Sequence, residues 1–221
     1  MERPQGWHRA IEFVAKSDLT GDLFEFGCFS GQSMAAFYAA EAHFSALAHP
    51  SAPHQGRFIN RFFAFDSFEG MPMGGPLDAL DGYALSQGTL APGGYACSEA
   101  QFRENLAAGG VDLARVTTIK GFYEDSLQDP IVRQLTTASK CALLHIDCDF
   151  EVSATAALNF STPNLQDGTI LLFDDYFLFR GRPDRGVRAS FEAWLPGSGY
   201  TASPYFTYAW AGAAFILHGA T

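Results

Sequence analysis

Residues 141–149, CALLHIDCD, and residues 168–175, GTILLFDD, each run through apolar side chains and stop on two aspartates. Asp147 and Asp149 close the first stretch, Asp174 and Asp175 the second. Continuous apolar runs of this length suit strands buried on both faces, as in a parallel sheet covered by helices. The flanking segments agree. Residues 22–27 (DLFEFG), 61–68 (RFFAFDSF) and 115–121 (RVTTIKG) read as three earlier strands. Residues 5–16, 31–48, 98–108, 153–165 and 186–195 carry helix formers or helical spacing between or beside them. Residues 200–210 and 212–219 look like a closing hairpin.

Strands alternating with helices make βαβ units. The expected fold is therefore α/β: a Rossmann-like, doubly wound, mostly parallel seven-stranded sheet in three layers, with a C-terminal antiparallel hairpin. One domain spans residues 1–221, with an N-terminal helix inside 1–20. Residues 70–95, dense in glycine and proline, form a lid loop in this reading, with Met71, Met73, Tyr83 and Tyr95 able to close over a ligand. Ser98 followed by Gln101 resembles a capping box, and Gly109–Gly110 would end that helix.

Composition narrows the function. The formal net charge of −10 argues against a broad basic face for nucleic acid or an anionic membrane. Cys28, Cys97, Cys141 and Cys148 show no metal or redox spacing and read as free thiols in a reducing compartment. No apolar run reaches the ~18 residues a membrane span needs, and residues 1–30 show no signal peptide. A cytoplasmic protein is expected. His8, His43, His49 and His54 read as surface or loop residues, and His218 as structural.

In open α/β sheets ligands bind beyond the carboxyl ends of the strands, where this chain places Asp66, Asp147, Asp149, Asp174 and Asp175. The turn EFGCFSGQS (25–33) carries Gly27 and Gly31, which allow a tight turn and close approach to the next helix. Its spacing is G-x-x-x-G, which makes an NAD-linked enzyme a weak alternative. Asp66 could accept hydrogen bonds from a ribose diol. Adjacent Asp174 and Asp175 repel unless one is protonated or a cation lies between them. Carboxylates without cysteine suit Mg²⁺ or Ca²⁺, and nearby His145 keeps Zn²⁺ and Mn²⁺ open. Solvated strand-end acids and helix caps are the plain alternative. No G-x-S-x-G elbow, P-loop or Cys/His dyad supports another chemistry.

EFGCFSGQS, FAFDSFEGMP, GGYACSEAQFRENLAAGGVDLARVTTIKGFYEDSL, IDCD and LLFDDY occur in this order over residues 25–176. Together they resemble a class I S-adenosylmethionine-dependent methyltransferase and, more narrowly, the macrocin O-methyltransferase family of sugar O-methyltransferases. The resemblance implies that Gly27, Phe29, Gly31 and Ser33 hold the methionine part of the cofactor and Asp66 the ribose. The segment from Phe122 to Asp125 would lie beside the adenine. Glu25, Ser67, Tyr123, Glu124 and Asp147 join the implied cofactor set. By similarity to the more distant catechol O-methyltransferases, Asp147, Asp174 and Asp175 are implied as Mg²⁺ ligands.

The expected activity is S-adenosylmethionine-dependent, divalent-metal-dependent methyl transfer to a hydroxyl of a small molecule, such as a sugar or a glycosylated natural product. Asp147 or Asp149 would be the base, since Phe150 stands where catechol enzymes place a lysine. Two departures fall on the acceptor side: DFEVSA puts Glu151 at the family's tyrosine position, and the N-terminal segment is short. A cofactor-binding protein of the same fold without transferase activity is the alternative. The expected partner is a small hydroxylated acceptor, with no nucleic acid and no membrane. A homodimer is compatible with the sequence, which leaves the oligomeric state open.

Overall fold

The computed structural model describes residues 1–48, 56–72 and 92–219. Its strands are β1 (Gly21–Phe26), β2 (Ile59–Asp66), β3 (Val116–Lys120), β4 (Cys141–Ile146), β5 (Ile170–Phe173), β6 (Tyr200–Tyr208) and β7 (Gly212–Gly219). They form one sheet in the order β3-β2-β1-β4-β5-β7-β6. The first five run parallel; β7 pairs antiparallel with β5 and with β6, which makes the expected hairpin. Strand order reverses between β1 and β4, so the crevice for a ligand opens beyond Phe26 and Ile146.

Helices α1 (Arg3–Lys16), α2 (Gln32–Leu47) and α3 (Glu99–Ala108) cover one face. Helices α5 (Pro130–Thr136), α6 (Glu151–Ser161) and α8 (Gly186–Trp194) cover the other; α4 (Tyr123–Ser126) and α7 (Leu178–Gly181) are single turns. Side chains alternate across the sheet. Leu23, Phe62, Leu143 and Leu172 enter one core, and Phe24, Phe63, Leu144 and Leu171 the other. Both faces of the central strands are buried, which is why β5 is apolar at every position and β4 at all but His145.

The expected strands and major helices form, with ends shifted by a few residues. Helix α5 escaped the reading because seven residues hold too few turns for a period. Its start signal was nonetheless present: Asp129 Oδ1 accepts from Ile131 N at 2.8 Å and Pro130 opens the helix. Ser98 caps α3, accepting from Gln101 N at 3.2 Å, but Gln101 turns its amide to Asn105 and Glu104, so only half of the expected capping box forms. Of the expected lid, residues 73–91, with Met73 and Tyr83, lie outside the described residues, as do His49 and His54. The loop's two ends meet through Met71 N to Gly94 O at 2.8 Å and Gly93 N to Met71 O at 3.0 Å. Among the described residues no helix is long and apolar enough to cross a membrane.

Candidate functional site

The crevice starts with a glycine that the backbone demands. Gly27 follows β1 at φ +84°, and a β-carbon there would lie 1.9 Å from the carbonyl oxygen of Asp147. The chain leaving β1 crosses the chain leaving β4 too closely for any side chain. Gly31 also has φ +84°, but its added carbon would meet Leu106 and Phe102 of α3. It therefore serves the contact between α2 and α3, and it does not line the cavity.

Asp66 ties this turn to the end of β2. Its Oδ2 accepts from Cys28 N at 2.7 Å and Phe29 N at 3.1 Å, and its Oδ1 accepts from Phe68 N at 2.7 Å. Two amides occupy Oδ2, so Oδ1 retains the main acceptor capacity for a ligand.

A cavity of about 230 Å³ lies over these loops. Gly27, Phe29, Ser33, Asp66, Ser67, Tyr123, Glu124 and Asp147 line it, together with Asp149 and Asp175. Glu25, Gly31 and Asp174 stand behind the lining. Tyr123 turns its phenol inward, donating to Phe65 O at 3.1 Å while its ring meets Phe26 edge-on. Tyr95 packs edge-on against Phe29, with centroids 5.5 Å apart, at the mouth.

Glu25 is fully buried. Its Oε1 accepts from Ser33 Oγ and lies 3.0 Å from His145 Nδ1. Among the described residues, Glu25 Oε2 and His145 Nε2 have no hydrogen-bond partner. The edges of Trp7 and Phe37 enclose the imidazole. A proton on Nδ1, shared with Glu25, leaves Nε2 with a lone pair.

One nitrogen of His145 and one oxygen each of Asp147 and Asp174 lie within 4.8 Å of one another. The sequence pointed to Asp147, Asp174 and Asp175. The convergent group takes His145 in place of Asp175, which still interacts with Asp149 and Asp174. Among the described residues, Asp174 Oδ1 and Asp175 Oδ2 are buried without a hydrogen-bond partner, whereas Asp174 Oδ2 faces an arginine. Burial, then Asp174, Asp175 and Asp149, pushes the Asp147 carboxyl well above the usual range; burial and its acidic neighbours do the same to Asp175. Asp149, held at φ +57°, is raised to about 6 by burial and by Asp174.

Sequence reasoning missed Arg3 and Tyr208. Arg3 Nη2 lies 2.5 Å from Asp174 Oδ2 and also lines the cavity. Burial, with Asp174 and Asp147 nearby, pushes the Tyr208 phenol well up. A single arginine in a first helix gives no signal of its own; only the docking of α1 over β4 and β5 brings it here. Glu151 is not among the described residues that line the cavity. Its Oε2 accepts from Gly186 N at 3.0 Å, and its carbonyl accepts from Ser190 Oγ at 2.8 Å, tying α6 to α8. His218 bonds Ser203 across the hairpin at 2.9 Å, a structural place as expected.

Residues 1–189 match the macrocin-O-methyltransferase (TylF) family. The 8-demethyl-8-(2,3-dimethoxy-alpha-L-rhamnosyl)-tetracenomycin-C 4'-O-methyltransferase of Streptomyces olivaceus is 27% identical over 180 residues, which cover 80% of this chain and 60% of that protein. The chain thus matches about 60% of that relative's length. Among solved structures, the O-methyltransferase NovP superposes with a TM-score of 0.72 at 20% identity, covering 99% of this chain and 80% of that one. CalS11, a calicheamicin methyltransferase, gives 0.71 at 21% identity, covering 96% and 77%. TomG from Streptomyces achromogenes, solved in complex with SAM, gives 0.60 at 17%, covering 100% and 82%. At these identities the superpositions establish a shared fold.

Proposed function

The chain belongs to the macrocin O-methyltransferase family, and from that premise we propose that it is an S-adenosylmethionine-dependent, divalent-metal-dependent O-methyltransferase. Its acceptor is a hydroxyl of a small molecule, a sugar or glycosylated natural product, in keeping with the rhamnosyl compound in the name of its Streptomyces olivaceus relative. The observation that carries the reading is the cavity at the reversal of strand order, where the glycine turn meets Asp66 on one side and Asp147, Asp149 and Asp175 on the other.

Gly27, Phe29 and Ser33 cradle the methionine part of the cofactor, with Glu25 and Gly31 supporting them from behind. Asp66 Oδ1 takes a ribose hydroxyl, with Ser67 beside it. Tyr123 and Glu124 border the adenine. The acids fit a cation: among the described residues, Asp174 Oδ1, Asp175 Oδ2 and Nε2 of His145 are buried without a hydrogen-bond partner, and hard oxygens predominate. Asp147 and Asp174 would hold it, with His145 or Asp175 completing the set. When bound, the cation stabilises negative charge developing on the acceptor oxygen.

In the transfer, the acceptor oxygen attacks the methyl carbon, the carbon–sulfur bond breaks, and the hydroxyl proton leaves to a base. Asp149 is the better base of the two candidates, since it lines the cavity and stands outside the convergent group of His145, Asp147 and Asp174. The test is thermal unfolding with S-adenosylhomocysteine, with and without Mg²⁺ or EDTA, and with NADH as control. Saturation at ~100 times the dissociation constant adds ~2.7 kcal/mol. A shift with the homocysteine ligand, enlarged by Mg²⁺, supports the reading; no shift with that ligand overturns it. A shift without methyl transfer to any hydroxylated acceptor would favour a cofactor-binding protein of the same fold.

A further inference from the structure

Arg3 reaches the acid cluster from outside the sheet. Its side chain is 50% exposed, whereas the Asp174 side chain it pairs with is 0% exposed. Arg3 also lines the same cavity as Asp147, Asp149 and Asp175. A cluster of buried carboxylates needs a positive charge or protons to persist. Here an arginine from the first turn of α1 supplies it.

The cluster also has ligand atoms that the arginine does not satisfy. His145 is 0% exposed, its Nε2 has no hydrogen-bond partner among the described residues, and Glu25 engages the other ring nitrogen. Asp174 Oδ1 is likewise buried without a hydrogen bond. A divalent ion bound to Asp174 would meet the Arg3 guanidinium within a few ångströms, and the two positive charges cannot share one carboxylate without cost. The arginine has somewhere to go, since its flexible stem can carry the charged head into water.

We infer that Arg3 is a tethered competitor for the cation site of His145, Asp147 and Asp174: it neutralises the acids when no divalent ion is bound and leaves Asp174 when one binds. This rests on the metal-dependent reading above. Because Arg3 also lines the cavity, its departure changes the cavity wall, so cation binding and the shape of the site are linked. The imidazole nitrogen favours Mn²⁺ as the probe, which accepts mixed nitrogen and oxygen ligands.

The experiment titrates Mn²⁺ into the protein and follows free Mn²⁺ by electron paramagnetic resonance. It compares the unmodified chain with Arg3→Gln, Arg3→Lys and Arg9→Gln. Arg9 belongs to the same helix but lies over the rings of Tyr205 and Phe206, so its loss controls for a general change of charge. Removing a charge-assisted bond that must otherwise break should tighten binding in Arg3→Gln by about one to two powers of ten. Arg3→Lys should fall between, and Arg9→Gln should match the unmodified chain. Equal affinity with and without Arg3, or equal tightening from Arg9→Gln, overturns the inference and leaves the metal site standing. No Mn²⁺ binding by any form overturns both. If Arg3→Gln does not fold, Arg3→Lys decides: an affinity no tighter than that of the unmodified chain overturns the competition.

Discussion

Glu25 Oε1 lies 3.0 Å from His145 Nδ1, and both side chains are wholly withdrawn from water. The pair joins the first turn of the sheet to the acid cluster, because Glu25 also accepts from Ser33 and His145 shares its neighbourhood with Asp147 and Asp174. Replacing Glu25 by alanine strands a hydroxyl and an imidazole N–H in a site with no solvent. Each stranded group costs ~1–3 kcal/mol, so Glu25→Ala should lose about 3 kcal/mol or more. Glu25→Gln keeps an acceptor and should lose less. Urea unfolding at neutral pH gives both values, and equal losses would mean that the hydrogen bonds are not what matters.

Gly27 and Gly110 separate two costs that usually arrive together. Both have positive φ, near +84° and +79°, but a β-carbon at Gly27 would strike the Asp147 carbonyl, whereas at Gly110 it meets nothing within 4 Å. Gly110→Ala should therefore cost only the left-handed conformation, ~1–2 kcal/mol. Gly27→Ala adds a backbone collision at the crossing of two loops and should cost about 4 kcal/mol or prevent folding. Thermal unfolding of the two variants checks this. A similar loss in both would show that the β1 and β4 loops can move apart freely.

Much of this arrangement was legible in the sequence, for identifiable reasons. Strands buried on both faces leave unbroken apolar runs, and acids that end them stand out, so Asp66, Asp147, Asp149, Asp174 and Asp175 could be placed at one edge of the sheet. What could not be read was which groups meet across elements. His145 looked like a neighbour of the aspartates, but its inward direction follows from strand alternation, and Glu25 at the same level of β1 is its registered partner. Arg3 depends on how a helix docks, which no local pattern encodes. Gly31 is implied as a ligand position by the resemblance, and its close approach to Leu106 and Phe102 of α3 is a second demand on it that no local pattern encodes.

Asp149 gives the site a pH dependence whose sign can be worked out. Its carboxyl titrates at about 6 in the fold, above the ~3.9 of an unfolded aspartate. Between these values the folded chain holds more protons than the unfolded one, so stability falls as pH rises. The contribution is fully present below the unfolded value and is lost as pH rises through about 6. Without added metal the protein should thus lose stability from pH 4 to 7, and Asp149→Asn should flatten that slope, as seen in urea unfolding across the range. Methyl transfer has the opposite dependence, since the base must be ionised, and should rise with pH, over an interval that the bound cation moves below that of the metal-free chain. Asp149→Asn should lower turnover by ~10²–10⁴ with S-adenosylhomocysteine affinity unchanged. Normal turnover in that variant would return the role of base to Asp147.

Glu151, at a position where the family resemblance implies tyrosine, turns its carboxylate toward the start of α8. There it accepts the Gly186 amide, in the manner of a helix cap supplied by a different helix. An acceptor at a helix start is worth ~0.5–2 kcal/mol, so Glu151→Ala should lower stability by about 1 kcal/mol. The same change should leave kcat and the acceptor KM unaltered, because Glu151 is not among the described residues that line the cavity. A stability scan alongside steady-state kinetics separates the two roles. A drop in kcat or a rise in KM with unaltered stability would mean that Glu151 swings to the acceptor, and that the departure from the family pattern changes specificity rather than scaffold.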